Sequence, residues 1–355
     1  MCIYLPNSKD LTYHDREHII PAGLGGIMRL PEGYVSDQFN NGISRLELDF
    51  LRNSTISVPR SIEGPGKRGS LSDTKSTKSK VSIIQNTEDT NKYSLGYIKL
   101  GAPFHITFFS LQLKTGHFVA GTDPSIPDIT KHFCSFFDQC RTENIGKTRI
   151  ITDNSLPEGL ILFGIANEIE KNYNSFFAKS NSTSFEFTSE KIRKIIEQNN
   201  VNDISIVKES YKSQVTLEAD FSNNYFRVYA KIAFNYLAHI KGKDFVLHPC
   251  FDSIRNWIAS GGENTFANIN TAIPVVSIIS VPLPESSHVI LIQAYKNNLL
   301  ATVFLYSGHA VIIALSTSFS QDFDELEGYI CDWKNRLEYT FLDYISGLGK
   351  SDAFI

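Results

Sequence analysis

The stretch EHIIPAGLGG, residues 17–26, sets a carboxylate directly beside an imidazole and follows the pair with a Gly-Gly turn. A little further on, YVSDQFNN, residues 34–41, ends in two asparagines. These asparagines open a pattern in which Ile43, Leu46, Phe50 and Leu51 recur at helical spacing, with Ser36 or Asp37 in the N-cap place. Upstream, residues 2–21 are short-stretched and turn-rich, and suit a β-hairpin. The first sixty residues therefore read as hairpin, loop and helix.

That order has chemical meaning. Hydrolysing a phosphodiester needs a base that takes a proton from water near neutral pH, which suits histidine. It also needs charge stabilisation on the leaving oxygen, which suits a divalent ion held by oxygen ligands. If Glu17 and His18 lie on a strand, their side chains point to opposite faces. One then faces an ion and the other the attacking water, and Asn40 brings a neutral oxygen from the following helix.

With EHIIP, LGG and the asparagine 22 positions beyond His18, the chain resembles the HNH endonuclease family, whose fold is the ββα-metal module. The resemblance implies His18 as general base and Glu17 and Asn40 as ligands of Mg²⁺ or Mn²⁺, with Asn41 a nearby substitute. Many members carry two cysteine pairs on a structural zinc. Here those places read Cys2, Leu5, Ser36 and Phe39, so no structural zinc is expected. Tyr4, Leu5, Tyr34, Phe39 and Leu46 are expected to fill its space. The family's middle residue, which orients the base, has no counterpart between Gly26 and Ser36. GKRG, residues 66–69, looks like a segment that follows the module in longer relatives.

Composition sets the outer bounds. The 355 residues carry a net charge of −4, so there is no global basic footprint for nucleic acid, and any such contact is local. Lys67 and Arg68 are candidates, within a Gly/Ser/Thr-rich stretch (61–80) holding five basic residues (67, 68, 75, 78, 80) against two acidic ones (63, 73). This stretch reads as a flexible basic linker. Five scattered cysteines with no CxxC pair argue for reduced thiols in a cytoplasm. No apolar run is long enough to span a membrane, and the N-terminus has no signal-peptide pattern.

Beyond residue 90 the pattern is mixed. Residues 94–120 and 203–221 read as strands, 158–177 and 189–200 as helices, the second capped by Ser189. NNYFRVYAKIAFNYLAH, residues 223–239, is the strongest helix, and FDSIRNWIASGG a short one ending at Gly261. Four apolar runs between 274 and 316 read as strands, with Asn297-Asn298 as a hairpin turn. Residues 337–345 are read as helical. Arg227, Lys231 and Asn235 form a polar stripe on the long helix, either a phosphate-gripping ridge or one solvated face. This phrase also resembles the C-terminal domain of some large HNH proteins.

The expected fold class is α+β: an HNH domain over 1–60, a linker over 61–90, and a mixed α/β domain with an antiparallel sheet over 91–355. The expected activity is metal-dependent endonuclease action, most naturally on DNA and in defence against foreign DNA. A homodimer or protein partner is a further expectation. The alternatives are a nuclease that has lost catalysis and serves as a binding subunit, and an RNA-directed enzyme.

Overall fold

In the computed structural model the described residues are 1–142, 145–199, 213–215, 221–270, 281–323 and 326–351. The chain divides into two compact units, one built from Met1–Thr77 with Ala219–Ile355 and the other from Lys78–Glu218. The expected boundaries at 60 and 90 are therefore corrected. The first sixty residues are not a separate domain, because their apolar positions share one core with the C-terminal segment. Nor is 61–90 a free linker. It holds the end of the helix Ser57–Glu63, two short helical turns and the strand Ser82–Asn86. Its glycines are packed: a Cβ at Gly66 would lie 2.1 Å from the Lys75 carbonyl oxygen, and one at Gly69 would lie 2.6 Å from that of Ala22. Small residues that looked like flexibility in sequence permit close backbone approach here.

In the first unit, six antiparallel strands lie in the order Ala267–Asn270, Ala310–Ser316, Asn298–Phe304, His288–Tyr295, Glu327–Asp332, Leu337–Thr340. Alternate residues serve opposite faces, as a strand's period of two requires. Ile290 and Ile292 join the core of the long helix Asn223–Lys241. Val289 and Leu291 join a second cluster, against which Phe341 and Tyr344 of the last helix, Phe341–Ser351, pack. The expected helix over 337–345 is thus half strand. The hairpin between His288–Tyr295 and Asn298–Phe304 pairs Tyr295 with Asn298, so its turn is Lys296-Asn297, with Lys296 at φ 54°. Of the run 274–284, residues 274–280 lie outside the described residues, and 281–284 form no strand.

The long helix is capped by Ser222, whose hydroxyl accepts from the Tyr225 N–H, and ends at Gly242, φ 87°. On it packs the first helix, Asp37–Asn53, capped by Ser36 through the Phe39 N–H. Phe50 meets Tyr225 and Tyr229 edge-on or tilted, and Tyr4 lies between Phe39 and Phe234.

The second unit holds a four-stranded and a five-stranded sheet. Here the expected helix over 158–177 is two strands, Leu160–Glu170 and Tyr173–Lys179. Its stretch 160–166 is apolar throughout because each face has its own core. Ile161, Phe163 and Ile165 face one cluster, and Leu162 faces the other. Such a doubly buried strand carries no alternation to separate it from a buried helix. The helix Ser189–Gln198 is as expected, with its cap moved one residue to Thr188. The strand reading of 203–221 falls almost wholly outside the described residues, apart from Ser213–Val215.

Candidate functional site

The Glu17-His18 pair sits on a short antiparallel pairing. Leu30 N–H donates to Glu17 O (2.8 Å) and Ile19 N–H to Met28 O (3.0 Å), with His18 opposite Arg29. The partner of the pair is thus the segment after Gly-Gly, not the turn-rich stretch before it. The two glycines make this return possible. Gly25 stands at φ 91°, a conformation that glycine adopts without strain, and its N–H closes the turn on Ala22 O. A Cβ at Gly26 would lie 2.0 Å from Ile20 O. Glu338 holds the returning strand from outside, its two carboxylate oxygens accepting from Ile27 N–H (2.7 Å) and Met28 N–H (2.6 Å).

At the zinc-like corner, Cys2 Sγ is buried and accepts from the backbone N–H groups of Tyr4 and Ser36, both at 3.4 Å. Tyr4 stacks on Phe39 at 4.0 Å between ring centroids and 6° between planes. Leu5, Tyr34 and Leu46 pack against the same core. Apolar and aromatic packing joins hairpin to helix at this corner.

The Glu17 carboxylate points into the molecule. Its Oε1 accepts from Lys231 Nζ at 2.6 Å, and the same ammonium reaches Glu47 Oε1 on the first helix at 2.6 Å. Lys231 is fully buried. Burial works against its charge, but Glu17 and Glu47 outweigh burial and hold its pKa above the ordinary lysine value. Burial, aided by Glu17, pushes the Glu47 carboxyl up, while Lys231 pulls it down. One helical turn along, Asn235 Nδ2 donates to His18 O (2.9 Å), and its Oδ1 accepts from Tyr4 OH (2.5 Å). The expected stripe on the long helix is therefore neither a phosphate ridge nor a solvated face. Lys231 and Asn235 are inward clamps on the Glu-His pair, and Lys231 is corrected as a nucleic-acid contact because no phosphate reaches a fully buried ammonium. Arg227 is engaged as well, donating to the carbonyls of Ile258 and Ala259 at the end of the helix Asp252–Ser260.

The His18 ring meets Arg29, whose Nε–H donates to Nε2 at 3.1 Å. Burial first, and then the Arg29 charge, lower the His18 pKa, so the ring is neutral at neutral pH. Arg29 thus covers the ring nitrogen that a general base would use. Asn40 lies on the first helix with Oδ1 buried and without a hydrogen-bond partner. Asn41 is exposed, as are Lys67 and Arg68.

The donors fit a hard, oxygen-seeking ion. A buried carboxamide oxygen with no partner is what such an ion satisfies, and Glu17 keeps a second carboxylate oxygen beyond the one Lys231 takes. No hydrogen bond joins Asn40 to Glu17 or His18. Among the described residues no three His, Cys, Asp or Glu side chains converge as a metal group.

Sequence reasoning missed Glu47, Arg29 and Glu338. Glu47 had a signal, since it lies seven positions after Asn40 and so on the same helix face. The polar stripe was visible, but its direction was not. Among the described residues no helix is long and apolar enough to cross a membrane. Compared with models of protein families, with curated proteins and with solved structures, the chain matches none.

Proposed function

We propose that the protein is an HNH-type endonuclease that hydrolyses phosphodiester bonds, with DNA as substrate. The observation that carries this reading is the arrangement of Glu17-His18 on a hairpin closed by Gly-Gly, beside a Ser36-capped helix that presents the unpartnered oxygen of Asn40. His18 is the general base. It is neutral in the free protein, so its base form is present without further adjustment. Its Nε2 is covered by the exposed Arg29 side chain. In the working complex the guanidinium turns onto a phosphate oxygen, whose charge and fork geometry suit it better than a neutral ring nitrogen does. Nε2 then accepts the proton of the attacking water. Glu17 and Asn40 would hold Mg²⁺ or Mn²⁺, with exposed Asn41 a second carboxamide nearby. Such an ion supplies charge stabilisation of the leaving oxygen when bound. Lys67 and Arg68, both exposed, add salt-dependent phosphate contacts.

Plasmid cleavage in Mg²⁺ and in Mn²⁺ tests the reading. His18→Ala is expected to lower the rate by about 100-fold or more, with an unchanged melting temperature. Parallel digestion of single- and double-stranded DNA and RNA defines the substrate. Two specific contacts favour a second reading, a binding subunit descended from a nuclease: the Lys231 hold on Glu17 and the Arg29 cap on His18. Wild type and His18→Ala that are equally inert in every metal and substrate would decide for that second reading.

A further inference from the structure

The ammonium of Lys231 stands where two carboxylates from different elements converge. Glu17 comes from the hairpin, Glu47 from the first helix, and Lys231 from the long helix, 214 positions from Glu17. Two carboxylates brought this close repel each other and attract a cation. The chain supplies that cation from one of its own side chains, through Lys231 Nζ, rather than leaving the position to a metal. Lys231 cannot swing aside, because its side chain is fully buried and its helix is pinned on either side of it. Asn235 bonds to the His18 carbonyl, and Arg227 to the end of the Asp252–Ser260 helix.

We infer that Lys231 is a built-in competitor for the divalent ion, and that it holds the metal affinity of the free protein low by occupying Glu17 Oε1. The inference rests on the proposed reading of Glu17 as a metal ligand. A divalent ion on the remaining oxygen of Glu17 sits within a few ångströms of a fixed ammonium, in surroundings where the repulsion is poorly screened. With the carboxylates already compensated, the protein folds without metal and takes up the ion only at high free concentration. Removing the ammonium frees an oxygen on each glutamate and removes the repulsion. Both changes raise affinity. A purely architectural lysine predicts the opposite, since Glu17 would lose its alignment and the ion would bind more weakly.

The test is Mn²⁺ binding to the full chain, followed by the electron paramagnetic resonance signal of the free ion, with melting temperature measured alongside. Lys231→Met is expected to bind Mn²⁺ at least about tenfold more tightly than wild type, and its melting temperature is expected to rise on Mn²⁺ addition as binding to the folded state requires. Adding Glu17→Gln to Lys231→Met should abolish the gain. A folded Lys231→Met protein with equal or weaker Mn²⁺ affinity overturns the inference, as does a gain that survives Glu17→Gln. Should Lys231→Met fail to fold even with Mn²⁺, the double variant Lys231→Met/Glu47→Gln decides. It has one carboxylate and no ammonium, so affinity above wild type supports the inference and affinity at or below wild type overturns it. Tighter binding without any plasmid cleavage would remove the nuclease reading and leave this one. Cleavage that needs His18, with no gain in affinity, would do the reverse.

Discussion

Glu17 and His18 are neighbours in sequence, but they are held by different partners. The long helix grips the side chain of the first through Lys231 and the backbone of the second through Asn235. A third buried contact fixes the loop that follows them. His288 is fully buried, with its Nε2–H donating to Leu24 O and its Nδ1 accepting from Tyr306 N–H, both at 3.0 Å. Burial lowers its pKa to about 4, and a proton on Nδ1 would face another donor. The unfolded chain binds a proton at the ordinary value near 6.5, so between there and about 4 it holds more protons than the folded one. Stability is therefore intact above pH 6.5 and is lost as the pH falls. The expected loss from this group is ~2 kcal/mol between pH 6.5 and 5. Urea denaturation at pH 7 and pH 5 measures it. The drop should shrink in His288→Asn, and an equal drop in both proteins would refute the assignment.

At the scale of elements, the first helix is joined to the N-terminal segment by aromatic packing. Tyr4 on Phe39 is the main contact, with the Cys2 thiol accepting two backbone N–H groups beside it. Phe39 is 4% exposed, so its loss would open a cavity that the stacked ring cannot close. Phe39→Ala is expected to destabilise the protein by about 3–5 kcal/mol, and a chelator should leave the wild-type melting temperature unchanged. A loss of less than about 1 kcal/mol on urea denaturation would show that this corner is not where hairpin and helix are held. The residues of the corner were legible in sequence, because Tyr4, Leu5, Tyr34, Phe39 and Leu46 are apolar or aromatic side chains that seek burial. Three other elements were not legible. The strands Leu160–Glu170 and Tyr173–Lys179 look helical because the first opens on an apolar run, residues 160–166, with no alternation, and Leu337–Thr340 continues directly into a helix.

At the scale of the molecule, the first unit is discontinuous in sequence. Residues 1–77 share one apolar cluster with the long helix, Ile19, Ile20, Phe39 and Phe50 among them, whereas Lys78–Glu218 has two apolar clusters of its own. The fragment 78–218 is expected to fold alone and melt cooperatively. The fragment 1–77 is expected to give the collapsed amide spectrum of an unfolded chain, because a module this small buries too little without its partner segment. A dispersed spectrum from 1–77 would show that the N-terminal module is autonomous after all. The basic stretch 61–80 belongs to the same lesson. Its composition suggested a linker, yet Arg336 Nη2 donates to Gly69 O and Arg60 Nη2 to Gly66 O.

By itself the sequence determined the Gly25-Gly26 turn, the Ser36-capped helix, the long helix at 223–241, and the strands from 288 to 316, because these follow from period, caps and glycine turns within a few residues of one another. Only the tertiary structure decided that the Lys231 and Asn235 stripe faces inward, that Glu17 meets Glu47 across an ammonium, and that Arg29 covers His18. Each of these joins elements that the chain separates, and the long helix is buried on every side from Val228 to Ala238, so its polar positions do not mark a solvent face.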